Sequence, residues 1–291
     1  MGLRVIDHTD EWWSHRKQKT GRENGANTYS RDIGTHHVGR WAKLAHDQEV
    51  VVSTAPPLVM HDVGPVDLVV QYLHTYDYAA PLLVPNRVSA ALRAQGVRRV
   101  LFVAAYRPLV NTLIAAGFEA VYVPMRVDVD WIRHRAEYQP GDLTDQSRIG
   151  WGRAVYFGNV TPAKRKHFDA MRRAFIKTGW KLDLLTEPDQ GKALRTVRRY
   201  SYGVGVGRCA LEMMALNLRV MLSGQKFGGI ITNADEWAVQ SSQNFNGRVI
   251  TYDRTVSACV DAWDQVPDWS EAVDTYTAIG VLDQHVNRLL T

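Results

Sequence analysis

The sequence predicts an α/β fold in which parallel sheets are joined by crossover helices. Short apolar runs alternate with longer stretches along the chain, the longer stretches repeat apolar residues at helical intervals, and Gly96 and Gly117 stand just past the last turn of two of them. The first two features mark strand–helix–strand units, and the third puts glycine where a left-handed C-cap favours it. At 291 residues the chain has room for two domains, each large enough to bury its own core.

In the first half, strands are expected at 3–7, 49–53, 67–73, 99–104 and 120–124, with helices over 34–45, 84–94 and 109–116. The stretch 131–152 is polar, carries Pro140-Gly141 and lacks apolar periodicity, so a domain linker is expected there. The alternation restarts at Ala154-Val-Tyr-Phe157 and runs into a basic amphipathic helix over 162–178, with Thr161 as N-cap and Pro162 at the first helical position. A strand at 181–185, a helix through Arg199, a glycine-rich segment, a helix to Leu216 and strands at 219–222 and 248–252 follow, with a closing helix over 270–290. The expected organisation is a first domain over 1–130, the linker, a second domain over 153–268, and a terminal segment 269–291 that is a candidate to pack back on the first domain.

Hydrophobic residues make up 45% of the chain and charged residues 22%, which excludes a disordered or fibrous protein. No stretch approaches the roughly 18 uncharged apolar residues of a membrane span, and the start runs into acidic residues and tryptophans, so a cytoplasmic location is expected. Cys209 and Cys259 lie in apolar helical patterns without metal-type spacing and read as buried thiols of a reducing compartment. The net charge of +5 comes mainly from clusters such as Lys164-Arg-Lys166, Arg172-Arg173 and Arg195–Arg199, a field that suits nucleotide diphosphates, nucleic acid or an anionic membrane surface as well as plain solvation.

The segment Gly203-Val-Gly-Val-Gly-Arg-Cys-Ala-Leu-Glu212 carries the chemistry. Glycines let backbone N–H groups approach an anion, and the helix N-terminus behind them adds unsatisfied donors and partial positive charge. Tight packing at a strand–helix junction is the competing explanation of the same glycines. Arg208, in the first helical turn, has the wrong sign for a bare helix dipole, so a negative group in front of it is expected. The position in the chain and the lack of a downstream acidic residue disfavour a nicotinamide-binding fingerprint.

The run Val206-Gly-Arg-Cys-Ala-Leu-Glu-Met-Met-Ala-Leu-Asn-Leu-Arg-Val220 resembles the donor-binding motif of GT-B glycosyltransferases, in which a glycine before a helix is followed by a glutamate and a return strand. Phe157-Gly-Asn-Val-Thr-Pro-Ala-Lys164 is similar to the opening of that family's second domain, Ile33-Gly34-Thr-His-His-Val38 to its first glycine loop, and Val121-Tyr-Val-Pro-Met-Arg-Val-Asp128 to its interdomain crossing. Phe227-Gly-Gly-Ile-Ile-Thr232 and Asn244-Phe-Asn-Gly-Arg248 are similar to a bacterial subset, and together the likeness spans from Leu3 to about Tyr252. It implies two Rossmann-like domains facing across a cleft and transfer of a sugar from a nucleotide-diphosphate sugar, with retention favoured, and neither a metal nor a separate cofactor. It also implies that Gly34, Gly158, Asn159, Gly205, Gly207 and Glu212 bind the donor, with Glu212 on the ribose hydroxyls and Gly207 and the amides after it facing the diphosphate. The family's arginine after the strand glycine is Asn159 here, and the second glutamate of many retaining members is Val204.

Sugar transfer leaves negative charge on the departing diphosphate, which Lys164 and Arg208 suit. His74 is the first candidate for a group at the sugar or a general base, ahead of His36, His37 and Asp77. The acceptor is open among glycan, lipid, protein and a modified DNA base, with DNA and a peripheral membrane surface as candidate partners. The alternative from another class is a non-catalytic nucleotide- or nucleic-acid-binding protein of the same fold. No carboxylate pair of a hydrolase and no compact zinc-ligand spacing stand out.

Overall fold

The computed structural model describes residues 50–53, 67–73, 80–125, 127–138, 149, 151–224, 226–247 and 255–275. The fold is α/β. The chain divides into two compact units, one of Met1–Val123 with Ala278–Thr291 and the other of Pro124–Thr277. The elements expected at 3–7, 34–45 and 248–252, and the later part of the helix expected over 270–290, lie outside the described residues.

The first unit contains a four-stranded parallel sheet in the order β1 (Val50–Ser53), β2 (Leu68–Leu73), β3 (Arg99–Ala104) and β4 (Glu119–Tyr122). Helix α1 (Leu83–Ala94) links β2 to β3, and α2 (Arg107–Ala115) links β3 to β4. Each ends at a glycine with positive φ, Gly96 at 86° and Gly117 at 83°, as the C-cap pattern predicts. Because the strands follow one another in sequence order, right-handed crossovers put both helices on one face. There Val69, Leu73 and Phe102 meet Val88, Leu92, Leu109 and Leu113.

The second unit opens with α3 (Val129–Arg135), which overlaps the start of the stretch expected as a linker. Asp128 caps it by accepting the Trp131 N–H at 2.8 Å, and Val129 and Ile132 are buried. Arg133 Nε donates to the Ala215 carbonyl at 3.3 Å, which ties this helix to the far end of α6. Seven residues with two buried apolar positions are too short for periodicity to stand out, and only packing shows the helix.

A five-stranded sheet follows, in the order β6 (Lys181–Leu185), β5 (Arg153–Phe157), β7 (Tyr202–Gly205), β8 (Arg219–Ser223) and β9 (Phe227–Ile230); β9 alone is antiparallel. Helix α4 (Pro162–Lys177) joins β5 to β6 in one direction, whereas α5 (Gln190–Val197) and α6 (Arg208–Ala215) carry the chain back across β5 to β7 and on to β8. The winding therefore reverses between β5 and β7, and the helices fall on opposite faces. Phe168, Met171 and Phe175 of α4 pack with Trp180, Tyr202 and Trp263 on one side. Side chains of α3, α5 and α6 fill the other, together with Val273 of α9 (Ser270–Thr275). Each large apolar side chain so buried contributes about 1.5–3 kcal/mol. The described start of the closing helix thus packs on α6 within the second unit. Two further α-helices are described in the unit, α7 (Ala234–Ser242) and α8 (Val256–Asp261), the second followed by a 3-10 turn at Trp263–Gln265.

Two of the three glycines of the glycine-rich segment are explained by packing. Gly203 and Gly205 point the same way along β7, toward Met213 of α6. A Cβ on Gly203 would collide with Met213 Sδ, and one on Gly205 would stand 2.8 Å from Met213 Cε and 3.0 Å from the Phe157 carbonyl oxygen. Their alternation lets α6 lie close on its strand. Gly203→Ala should lower stability by about 1–3 kcal/mol through overpacking, read as a lower urea midpoint at an unchanged slope; an unchanged midpoint would refute the close packing.

Candidate functional site

In a doubly wound sheet, the strand ends at a reversal of winding leave a crevice that side chains do not fill. Here the winding reverses at the carboxyl ends of β5 and β7, where two glycine turns stand side by side. Gly158 follows β5 with φ 140°, and a Cβ on it would stand 3.6 Å from Cys209 Sγ. Gly207 is the N-cap of α6, with φ 56° and ψ −129°. Its N–H donates to the Phe245 carbonyl at 2.7 Å, so this amide is already satisfied inside the protein. The backbone donors that α6 itself leaves unused begin one residue later, in the first helical turn.

Glu212, one turn into α6, is 3% exposed. Arg208 Nε and Gln190 Nε2 both donate to its Oε1, each at 2.7 Å. Among the described residues no donor reaches Oε2. Burial pushes the Glu212 carboxyl above the usual carboxylate range, while the Arg208 charge, its hydrogen bond and that of Gln190 pull the other way. The wrong-sign Arg208 of the first turn therefore has its negative partner within the same helix, so the expected external anion is not needed to explain it. Cys209 is partly exposed as a residue, yet burial of its thiol, aided by the Glu212 carboxylate, pushes it up to about 12, against the charges of Arg208 and Lys164. Glu212, Arg208, Lys164 and Cys209 thus share one electrostatic neighbourhood.

Lys164 lies in the first turn of α4, which starts at Pro162 after Thr161; the threonine holds the N-cap position without a side-chain cap bond. Asn159 is exposed in the turn between β5 and α4. His167, one turn beyond Lys164, has Nε2 2.9 Å from the Oγ of Ser223, a fully buried residue at the end of β8. Burial holds the His167 imidazole below its ordinary value of 6.5. Val204 is fully buried among the apolar residues on the α4 face of the sheet. It is a strand core residue at the position where the resemblance places a second glutamate of many retaining members.

The neighbouring loops interlock around Val206. A Cβ on Gly224 or on Gly247 would stand 3.0 Å from a Val206 methyl group. Asn244 and Phe245 both hold positive φ, 55° and 49°. Consecutive left-handed residues of this size are strained, and the strained pair supplies the carbonyl that holds Gly207. Gly34 and His74, with His36, His37 and Asp77, lie outside the described residues.

The structure therefore brings together Gly158, Lys164, Gly207, Arg208 and Glu212 at the ends of β5 and β7. Gln190 and the His167–Ser223 pair are the members of this region that sequence reasoning passes over. His167 had a signal, since it stands one helical turn from Lys164. Gln190 had none, because it is joined to Glu212 only by the fold. Among the described residues no group of three or more His, Cys, Asp or Glu side chains is placed to hold a metal ion, and no helix is long and apolar enough to cross a membrane. No protein-family model matches the chain, and no curated protein sequence matches it.

The lowered His167 value has a consequence for stability. Its unfolded form titrates near 6.5 and its folded form lower, so the stability it contributes is present above 6.5 and lost as pH falls through the folded value. His167→Gln, which keeps a hydrogen-bonding group opposite Ser223, should flatten the decline of melting temperature between about pH 7 and pH 5. An identical decline in both proteins would show that His167 titrates normally.

Proposed function

We propose that the chain is a glycosyltransferase of the GT-B architecture that transfers a sugar from a nucleotide-diphosphate sugar. The observation that supports this reading is the meeting of the Gly158 and Gly207 turns over a buried glutamate whose two protein donors share one oxygen. In this reading Glu212 Oε2 accepts from the donor's ribose hydroxyls, while Gln190 and Arg208 hold the carboxylate in place through Oε1. The diphosphate sits against the first turn of α6, with Lys164 of α4 on the other side. Positive charge and backbone donors that are already in place stabilise the departing diphosphate without reorganising as charge develops. The reading entails that the two units are the paired domains of that architecture, facing across a cleft, with the acceptor taken up by the first and His74 beside the sugar. Retention of configuration is the favoured outcome, and the acceptor is a glycan, a lipid, a protein or a modified DNA base.

One observation favours a second reading, a nucleotide-binding protein without turnover. The Gly207 amide is occupied by Phe245, and the position after Gly158 holds exposed Asn159 where a cation would help the leaving group. The two readings differ in whether a bound donor is consumed.

A thermal-shift screen of UDP, GDP, TDP and CMP sugars tests both. A donor present at a hundred times its dissociation constant adds about 2.7 kcal/mol to stability. Glu212→Ala and Lys164→Ala should remove that shift, and Glu212→Gln, which keeps the shape of the side chain, should reduce it. A full shift in all three variants would sink the site assignment. Slow release of free sugar from the donor that binds supports the transferase, and binding without release or transfer supports the second reading.

A further inference from the structure

Helix α4 turns one stripe of cations outward. Arg165, Lys166, Arg172, Arg173 and Lys177 are all exposed and, at this spacing, share one helical face. Asp169, the sole acidic residue of the helix, lies on the same face, and among the described residues no carboxylate forms an ion pair with any of the five cations. The apolar residues of the opposite face, Phe168, Met171 and Phe175, are buried against the sheet. They are therefore not available for any external surface.

Two large apolar side chains nevertheless stand in solvent at the C-terminal end of this stripe. Ile176 is 63% exposed and Trp151 is 69% exposed. The fold brings them to one end of the unit. The Lys181 N–H, just after α4, donates to the Gly152 carbonyl at 2.8 Å, and the Trp151 ring meets Trp180 edge-on at 5.2 Å. Trp180 and Trp263 stack at 5.3 Å in the core behind.

We infer that the outer face of α4, with Trp151 and Ile176, is a docking surface for an anionic lipid bilayer. The cations alone would suit any polyanion. The apolar pair decides between partners, because an aliphatic side chain gains by entering the acyl boundary and nothing by facing a phosphate backbone, and tryptophan favours the headgroup level. The stripe runs about 18 Å along the helix axis, so α4 lies parallel to the membrane plane, its cations on lipid phosphates. This surface stands on observations separate from the nucleotide reading and does not need it.

Flotation of the full chain with vesicles of phosphatidylcholine, with and without phosphatidylglycerol, tests the inference. The protein should float with the anionic vesicles and not with pure phosphatidylcholine, and high salt should release it. Each cation near such a surface is worth about fivefold in binding, so Arg172→Glu with Arg173→Glu should weaken it by more than about twentyfold. Ile176→Ser should weaken it about tenfold at an unchanged melting temperature; its exposure makes it the variant least able to disturb the core, and Trp151→Ala should act in the same direction. Failure to float with anionic vesicles, or full binding by the Ile176→Ser protein, overturns the inference. Binding of duplex DNA that charge reversal removes and Ile176→Ser leaves intact, without vesicle binding, assigns the face to nucleic acid and overturns it equally.

Discussion

How near α6 can approach β7 governs the second unit. Gly203 and Gly205 present no side chain toward the helix, so Met213 descends onto the strand backbone and the turn at Gly207 is drawn in behind it. That approach sets Cys209 against Gly158 and carries Glu212 into the interior, where Gln190 of α5 and Arg208 reach it. A side chain at Gly203 would have to displace the Met213 side chain, and one at Gly205 would also crowd the Phe157 carbonyl oxygen. The glycine-rich pattern is thus first a packing device, and any binding at its end depends on that packing.

Charge is arranged around the same helix with little slack. A buried carboxylate is costly unless it is paired and hydrogen-bonded, and Glu212 meets both conditions through a single oxygen. Arg208 has the sign that a helix N-terminus disfavours, and its position one turn from Glu212 offsets that cost. The Cys209 thiol lies in the same neighbourhood, where Glu212 raises it and Arg208 and Lys164 oppose the rise that burial imposes.

Much of the second unit was legible in the sequence. The strand expected at 181–185 coincides with β6, and the expected helices and returning strand overlie α4, α5, α6 and β8. These elements alternate strongly in polarity, and local pattern is enough to place them. Helix α7 escaped because its buried positions include Glu236 and Gln240, which periodicity counts as polar. Its signal was the cap: Asn233 accepts the Glu236 N–H at 3.0 Å while Glu236 reaches back to the Thr232 N–H at 2.7 Å. The pairs Gln190–Glu212 and His167–Ser223 join residues far apart in the chain, so neither composition nor spacing could show them. Val204, which stands where the resemblance places a second glutamate of many retaining members, is turned by the pleat into the core.

The carbonyl of Phe245 has an effect beyond satisfying the Gly207 amide. A loop from outside the βα turn grips the Gly207 amide and braces the turn, which lowers the ordering entropy that a group bound there would otherwise cost. The same carbonyl oxygen carries partial negative charge beside the entrance to the helix. An anion brought to this turn is repelled from the glycine itself and directed one residue further, toward the amides that open α6. The loop at Asn244–Phe245 therefore aims the turn as well as bracing it.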